Sequence, residues 1–268
     1  MKSHTWSRGW PVQKPDSSPV RCTRLTAVSP LKFQRRVFEP SVPFHRKSIV
    51  TKETIGIIGA GEVGTQIARA AILAGYSIVI ANSRGPETLR SLVTALGPNA
   101  RASTAAGAAA AGDFVMIAAP LKLDNKLPVT ELAGKIVLDT NNYMLWRDGD
   151  YPQVTSGAMT IHELRQQQLP LSRVASAFTH VQAPRLLGLA SPEGTPNRHA
   201  LAVSSNFRDA VSLVTRLYND LGFDAVDNSP LFQSWRVGPG QPAWEAHAHQ
   251  TRTELIANIA RADKANQR

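Results

Sequence analysis

One cysteine, Cys22, is all the chain has in 268 residues, so no intramolecular disulfide can form and nothing in the fold depends on an oxidising compartment. Long apolar runs are also missing. The longest near-continuous one, residues 114–121, is far short of the roughly 20 residues that span a bilayer. With 43% apolar and 19% charged residues the composition is that of a globular chain, expected to be soluble and cytoplasmic, with one large domain or two modest ones. Acidic residues are scarce, 20 against 30 Lys and Arg, and the formal charge of +10 raises the question of a nucleic-acid partner. Its distribution answers it: residues 1–50 hold ten basic residues against Asp16 and Glu39, a local charge of +8, which leaves only +2 on the other 218. A nucleic-acid reader would carry that excess on folded elements with a recognisable motif. No nucleic-acid and no membrane partner is expected.

That basic stretch contains six of the 18 prolines and follows neither a helical nor an alternating apolar template. Residues 1–52 are therefore expected to be a disordered tail. The prolines interrupt any amphipathic helix of the transit-peptide kind. A natural start near Val50, just before the first strand, is an alternative to a tail that belongs to the native chain.

Beyond the tail the pattern is ordered. Thr54 to Ile58 is a short apolar, β-branched run, followed by Gly59-Ala60-Gly61-Glu62-Val63-Gly64. Val63, Ile67, Ala70, Ala71 and Ala74 then recur on one helical face, with Gly75 as the expected cap. Strand, glycine turn and helix, closed by a second strand from Ser77 to Ala81, are the setting in which GxGxxG binds a dinucleotide. Gly59 allows the tight turn, Gly61 lets the main chain approach a pyrophosphate, and Gly64 lets helix and strand pack closely. The first-turn N–H groups of the helix receive the phosphates.

The tip of the second strand selects the cofactor. A site for NAD places Asp or Glu there to accept from the ribose 2′-hydroxyl. Here the residues are Asn82, Ser83 and Arg84, with no carboxylate until Glu87. Arg84 can stack on the adenine or pair with a 2′-phosphate, and Ser83 can donate to it. At roughly 1.5 to 3 kcal/mol per charge-assisted bond, one or two such bonds favour NADP over NAD by about one to four powers of ten. NADP(H) is the expected cofactor.

The same pattern continues with a helix from Pro86 to Leu96, an alanine-rich helix from Ala102 to Ala111, and strands from Phe114 to Ala118 and from Ile136 to Asp139. Ligands of a doubly wound sheet lie beyond the carboxyl ends of its strands. This makes Ala118, Ala119, Pro120 and Asn142 candidates for the nicotinamide-ribose side.

From about Thr54 to Gln241 the chain resembles the NADP-dependent oxidoreductases related to the reductase of the deazaflavin coenzyme F420. The segments that carry the resemblance are Thr54 to Gly64, Ala81 to Arg84, Gly134 to Asn142, Ala177-Phe178 and Leu221 to Asp227. It implies hydride exchange with NADP, Ser83 and Arg84 on the 2′-phosphate, and a homodimer. Relatives often carry a lysine where this chain has Thr88 and a tryptophan where it has Leu121, which implies fewer phosphate contacts and a differently shaped acceptor pocket.

The fold class expected is α/β, a doubly wound Rossmann-type parallel sheet over residues 53–178 with a small C-terminal α+β domain over 179–268. Arg173 to Ala177 reads as the last strand of that sheet, and in the second part Ala200 to Val203 and Phe223 to Val226 read as strands with a helix between them. A terminal helix offers Leu255, Ile259 and Ala262 to a partner subunit. No Tyr-x-x-x-Lys pair occurs, because Ile80, Arg147, Thr155 and Gly222 stand four residues after the four tyrosines. Of the histidines, His180 lies just past a strand end and is the one candidate for a proton donor. His247 and His249 have no cysteine or carboxylate cluster to complete a metal site, so no metal is expected. The functions consistent with these features are hydride transfer between NADP(H) and a small-molecule acceptor such as the deazaflavin, reduction of a small carbonyl or imine compound, and a non-catalytic NADP-binding redox sensor.

Overall fold

The computed structural model describes residues 52–121, 127–246 and 248–264. The basic tail up to residue 51 and His247 therefore lie outside the described residues. Eight strands form one sheet: β1 (Thr54–Ile58), β2 (Ser77–Ala81), β3 (Ala100–Ala102), β4 (Phe114–Ile117), β5 (Ile136–Asp139), β6 (Arg173–Ser176), β7 (Ala200–Ser205) and β8 (Asp224–Asp227). Their spatial order is β3-β2-β1-β4-β5-β6-β7-β8. β1 to β6 are parallel, as buried runs of Ile, Val and Met require. The order reverses between β1 and β4, the switch point where such sheets bind ligands.

Alternation along the strands divides the core between two faces. On one side Ile55, Ile57, Ile78, Ile80, Phe114 and Met116 pack against α1 (Glu62–Leu73) and the helix Arg208–Asp220. On the other, Val115, Ile117, Val137 and Val174 pack with Leu132, Leu169 and Leu231. The alanine-rich helix sits unusually close to the sheet because its seat is a glycine: a Cβ on Gly56 would lie 2.2 Å from the Ala108 carbonyl oxygen. That helix runs Ala105–Ala111, not from Ala102, since Ala100–Ala102 pairs with β2 and the Thr104 side chain caps the helix by accepting from the Gly107 N–H. The segment from Pro86 is likewise split into a 3-10 turn, Pro86–Leu89, and a helix, Arg90–Leu96.

The segment from residue 179 on is built onto the same sheet. β7 pairs antiparallel with β6 and β8 runs parallel to β7, and the described residues cluster as one compact unit. Tyr218 fastens this junction. Its hydroxyl accepts from the Phe178 N–H at 2.8 Å and donates to the Ala202 carbonyl at 3.0 Å, and its ring meets Phe178 edge-on. In the terminal helix, Arg252–Ala260, Leu255 is fully buried against Ala200, Ala202, Val226, Val237 and Ala243, with Ile259 beside it. Leu255, expected to face a partner subunit, thus packs into this chain's own core, Ile259 is partly buried beside it, and Ala262 falls past the helix end. Among the described residues no helix is long and apolar enough to cross a membrane.

Candidate functional site

Three loops meet at the carboxyl edge of the switch point. The Gly59 N–H donates to the Ala81 carbonyl and the Ala118 N–H to the Ile58 carbonyl, both at 2.8 Å, so the ends of β1, β2 and β4 are held together. Each glycine of the turn has its own reason. Gly59 has φ 118°, and a Cβ there would lie 2.3 Å from the Ala118 carbonyl oxygen. A Cβ on Gly64 would lie 2.0 Å from the Gly59 carbonyl oxygen, so helix and turn could not close. Gly61 is different: its φ is an ordinary −78° and nothing lies within 4 Å of its Cβ position. Neither backbone strain nor packing asks for glycine there, and the space it leaves is a cradle for a close-approaching ligand.

Gly61 is also the N-cap of α1 and supplies no side-chain cap, so the first-turn N–H groups point outward with the helix dipole behind them. Glu62 and Val63 are exposed on that turn, while Ala60 packs against the core. The apolar periodicity places Val63 on the buried helix face. The buried face is instead Gly64, Ile67, Ala68, Ala70 and Ala71, and Val63 is exposed.

At the tip of β2, Asn82 holds the loop. Its Nδ2 donates to Thr88 Oγ1 at 2.9 Å and its Oδ1 accepts from the Arg84 N–H at 3.0 Å, so both ends of its amide are committed to neighbours. The Thr88 hydroxyl in turn donates to the Gly85 carbonyl. Ser83 and Arg84 stand exposed on this braced loop, facing solvent. Glu87 folds back onto it: a Cβ on Gly85 would lie 2.2 Å from Glu87 Oε1. The lip is not free of carboxylate.

On the far side of the switch point Ala118 and Ala119 are half-buried and Pro120 is exposed. Leu121 turns inward to a small cluster with Tyr151 and Ile161. Asn142 is fixed from both ends: its Nδ2 donates to the Thr179 carbonyl at 2.6 Å, and its own carbonyl accepts from Arg147 at 2.6 Å. Arg147 is paired with the buried Asp148, whose carboxylate also accepts from the Met144 N–H. This clamp holds a single helical turn, Leu145–Asp148, on which Trp146 is 83% exposed. Sequence reasoning missed this turn. Its signal was Arg147 and Asp148 just past the candidate Asn142.

The surroundings of His180 do not favour the proton-donor role expected of it. It is buried, its Nε2 accepts from the Ala202 N–H at 2.9 Å, and burial together with nearby His199 pushes its pKa down to about 3. At neutral pH the ring is therefore the neutral imidazole, with Nε2 taken as an acceptor and no imidazolium proton to give. A second buried polar group sits at the end of β5, where Arg165 Nε lies 3.0 Å from Asp139 and Asn141 donates to the same carboxylate. Burial alone would raise the Asp139 pKa, but Arg165, His162 and Asn141 hold it below its ordinary value. His162, its own pKa lowered by burial, bonds Ser234 at 2.9 Å, so the cluster ties the 231–237 turn to the sheet. Among the described residues no group of His, Cys, Asp or Glu is arranged to hold a metal. Two surface hollows of about 580 and 430 Å³ lie at residues 205–230 and 246–261, away from the glycine turn.

The glycine turn and the strand ends around it lie within the part of the chain that matches a family model. Residues 54–143 match the family described as NADP oxidoreductase, coenzyme F420-dependent. Over these residues the chain is similar to that family. Its members are NAD(P)-dependent oxidoreductases, and the match runs from β1 to the residue after Asn142, enclosing every candidate position except His180. A stretch of 59 residues is 41% identical to the Escherichia coli (strain K12) protein YjhV, over 20% of this chain and 43% of that protein, so the chain spans less than half the length of this curated relative. Among solved structures, a hypothetical protein from Sinorhizobium meliloti, SMa0349, is 26% identical with a TM-score of 0.56, over 71% of this chain and 92% of that one. A protein assigned as an F420-dependent NADP reductase from Arthrobacter sp. FB24 is 21% identical with a TM-score of 0.55, over 74% and 90%, and this likeness supports the fold.

Proposed function

We propose that the protein is an NADP(H)-dependent oxidoreductase that passes a hydride between the nicotinamide and a second bound acceptor, with the deazaflavin coenzyme F420 as the acceptor favoured. The observation that carries this reading is the contrast among the three glycines. Gly59 and Gly64 are required by the fold, whereas Gly61 leaves unfilled space beside outward-pointing N–H groups. The pyrophosphate is assigned to Gly61, Glu62, Val63 and Gly64, the 2′-phosphate to Ser83 and Arg84, and the nicotinamide side to Ala118, Ala119, Pro120 and Asn142. Asn82 acts by bracing the loop.

The dinucleotide supplies the hydride, and the chain supplies position. Asn142, tied to Thr179 and Arg147, is preorganised and needs no reordering when a ligand arrives. Transfer between two flat rings needs apposition more than a strong general acid. The neutral, buried His180, its Nε2 occupied by the Ala202 N–H, therefore favours the deazaflavin over a ketone or imine, which would require a proton donor.

The test is a turnover assay following nicotinamide absorbance, with NADPH and the deazaflavin, then with a panel of ketones and imines. Oxidation of NADPH only when the deazaflavin is present is the expected result. Turnover on a ketone or imine instead would move the assignment to a carbonyl or imine reductase, and tight NADPH binding with no turnover on any compound would make the protein a redox sensor.

A further inference from the structure

The loop that presents Arg84 presents a carboxylate as well. Glu87 lies in the first turn of the 3-10 segment Pro86–Leu89, and its side chain curls back over Gly85. Gly85 has φ 102°, and a Cβ there would lie 2.2 Å from Glu87 Oε1 and 2.7 Å from Oε2. Glycine at this position thus does two things: it permits the left-handed turn, and it vacates the place the carboxylate occupies. Asn82, Thr88 and the Arg84 N–H brace the seven residues 82–88 by hydrogen bonds of 2.7 to 3.0 Å, so anion and cation sit on one rigid lip.

We propose that Glu87 is a specificity-determining residue that opens the site to NAD(H) as well as NADP(H), its carboxylate serving the unphosphorylated ribose and Arg84 the phosphorylated one. This rests on the dinucleotide reading above. A carboxylate on the lip is an acceptor for a ribose 2′-hydroxyl, the pairing that NAD sites use. The same negative charge repels a 2′-phosphate, which carries up to two charges near neutral pH. The residues on either side of Gly85 therefore pull in opposite directions, and the preference for NADP is held well below what Ser83 and Arg84 alone would give. Glu87 is exposed, so its side chain can turn toward one ligand and away from the other by rotation about its own bonds while the braced backbone stays in place.

Calorimetry with two fragments that differ only at the 2′ position, 2′,5′-ADP and 5′-ADP, tests this without any acceptor. The wild-type protein is expected to bind both. Glu87→Gln keeps the shape and removes the charge, and is expected to tighten 2′,5′-ADP and weaken 5′-ADP, widening their ratio roughly tenfold, the size of one charge-assisted hydrogen bond. Glu87→Ala should shift the ratio the same way. A ratio unchanged within twofold, or equal weakening of both fragments, overturns the role of Glu87 while leaving the dinucleotide site intact. No binding of either fragment by the wild-type protein overturns the site itself and this inference with it.

Discussion

Gly61 and Gly64 look equivalent in a GxGxxG string, yet they answer to different physics. Gly64→Ala forces a methyl to within 2.0 Å of a carbonyl oxygen and is expected to destabilise the fold by about 3 kcal/mol, seen as a drop in the urea midpoint. Gly61→Ala meets no atom and has a helix-compatible φ, so stability should stay within about 0.5 kcal/mol while dinucleotide affinity falls tenfold or more. If Gly61→Ala binds NADPH as tightly as the wild type, the cradle is not where the pyrophosphate rests. Arg84→Ala is the matching test at the second strand. It should weaken NADPH by roughly 10- to 100-fold and NADH by less than threefold, and equal losses would remove Arg84 from the 2′ position. The glycines, Ser83 and Arg84 were all readable as a string. That Asn82 braces its loop, that Thr88 spends its hydroxyl on the same brace, and that Glu87 folds back over Gly85 were not, because each depends on a turn whose φ of 102° no residue but glycine states even weakly.

The elements of the nucleotide-binding half were legible because parallel strands buried on both faces advertise themselves as short apolar runs. The exceptions are instructive. β3 is three residues long, Ala-Arg-Ala, with no apolar signature, and only its pairing with β2 makes it a strand. The junction of β6 and β7 is the other case. Phe178 takes a left-handed φ of 58° there, and the strain is held by Tyr218, whose hydroxyl serves two buried backbone groups from 40 and 16 residues away. Tyr218→Phe should leave the Phe178 N–H and the Ala202 carbonyl unpaired and reduce stability by about 2 to 4 kcal/mol, measured by chemical denaturation. A loss below about 0.5 kcal/mol would mean the hydroxyl does not hold the junction. The same junction explains His180: β7 runs back antiparallel beside the chain after β6, and the Ala202 N–H fills the ring nitrogen that sequence reasoning had left free for catalysis.

For the whole molecule, buried histidines make acid the weak side. Burial pushes His180 to about 3 and, with His249 and Arg185 adding to the effect, His199 to about 4, against 6.5 for the exposed group. Below pH 6.5 the unfolded chain takes up protons that the folded chain refuses, so folding weakens as pH falls from there toward 4 and then 3. The slope approaches about 1.4 kcal/mol per pH unit for each histidine. Asp139 acts in the same direction only at lower pH, since its pKa lies below its ordinary value of 3.8. Urea midpoints should therefore decline from pH 7.5 through 6 to 5, and identical midpoints across that range would contradict the burial of these rings.

Two kinds of information divide here. The fold class of the first half, the dinucleotide turn and the basic tip of the second strand were set by local pattern, because strand burial, helix periodicity and turn glycines act over a few consecutive residues. The fate of His180, Leu255 and the segment from residue 179 depended on which surfaces meet across tens of residues. An antiparallel β7 sealed the histidine, and the chain's own core took the leucine expected at a subunit contact. Hydrogen bonding and burial are satisfied by whatever the folded chain brings close, and distance along the sequence carries no record of that.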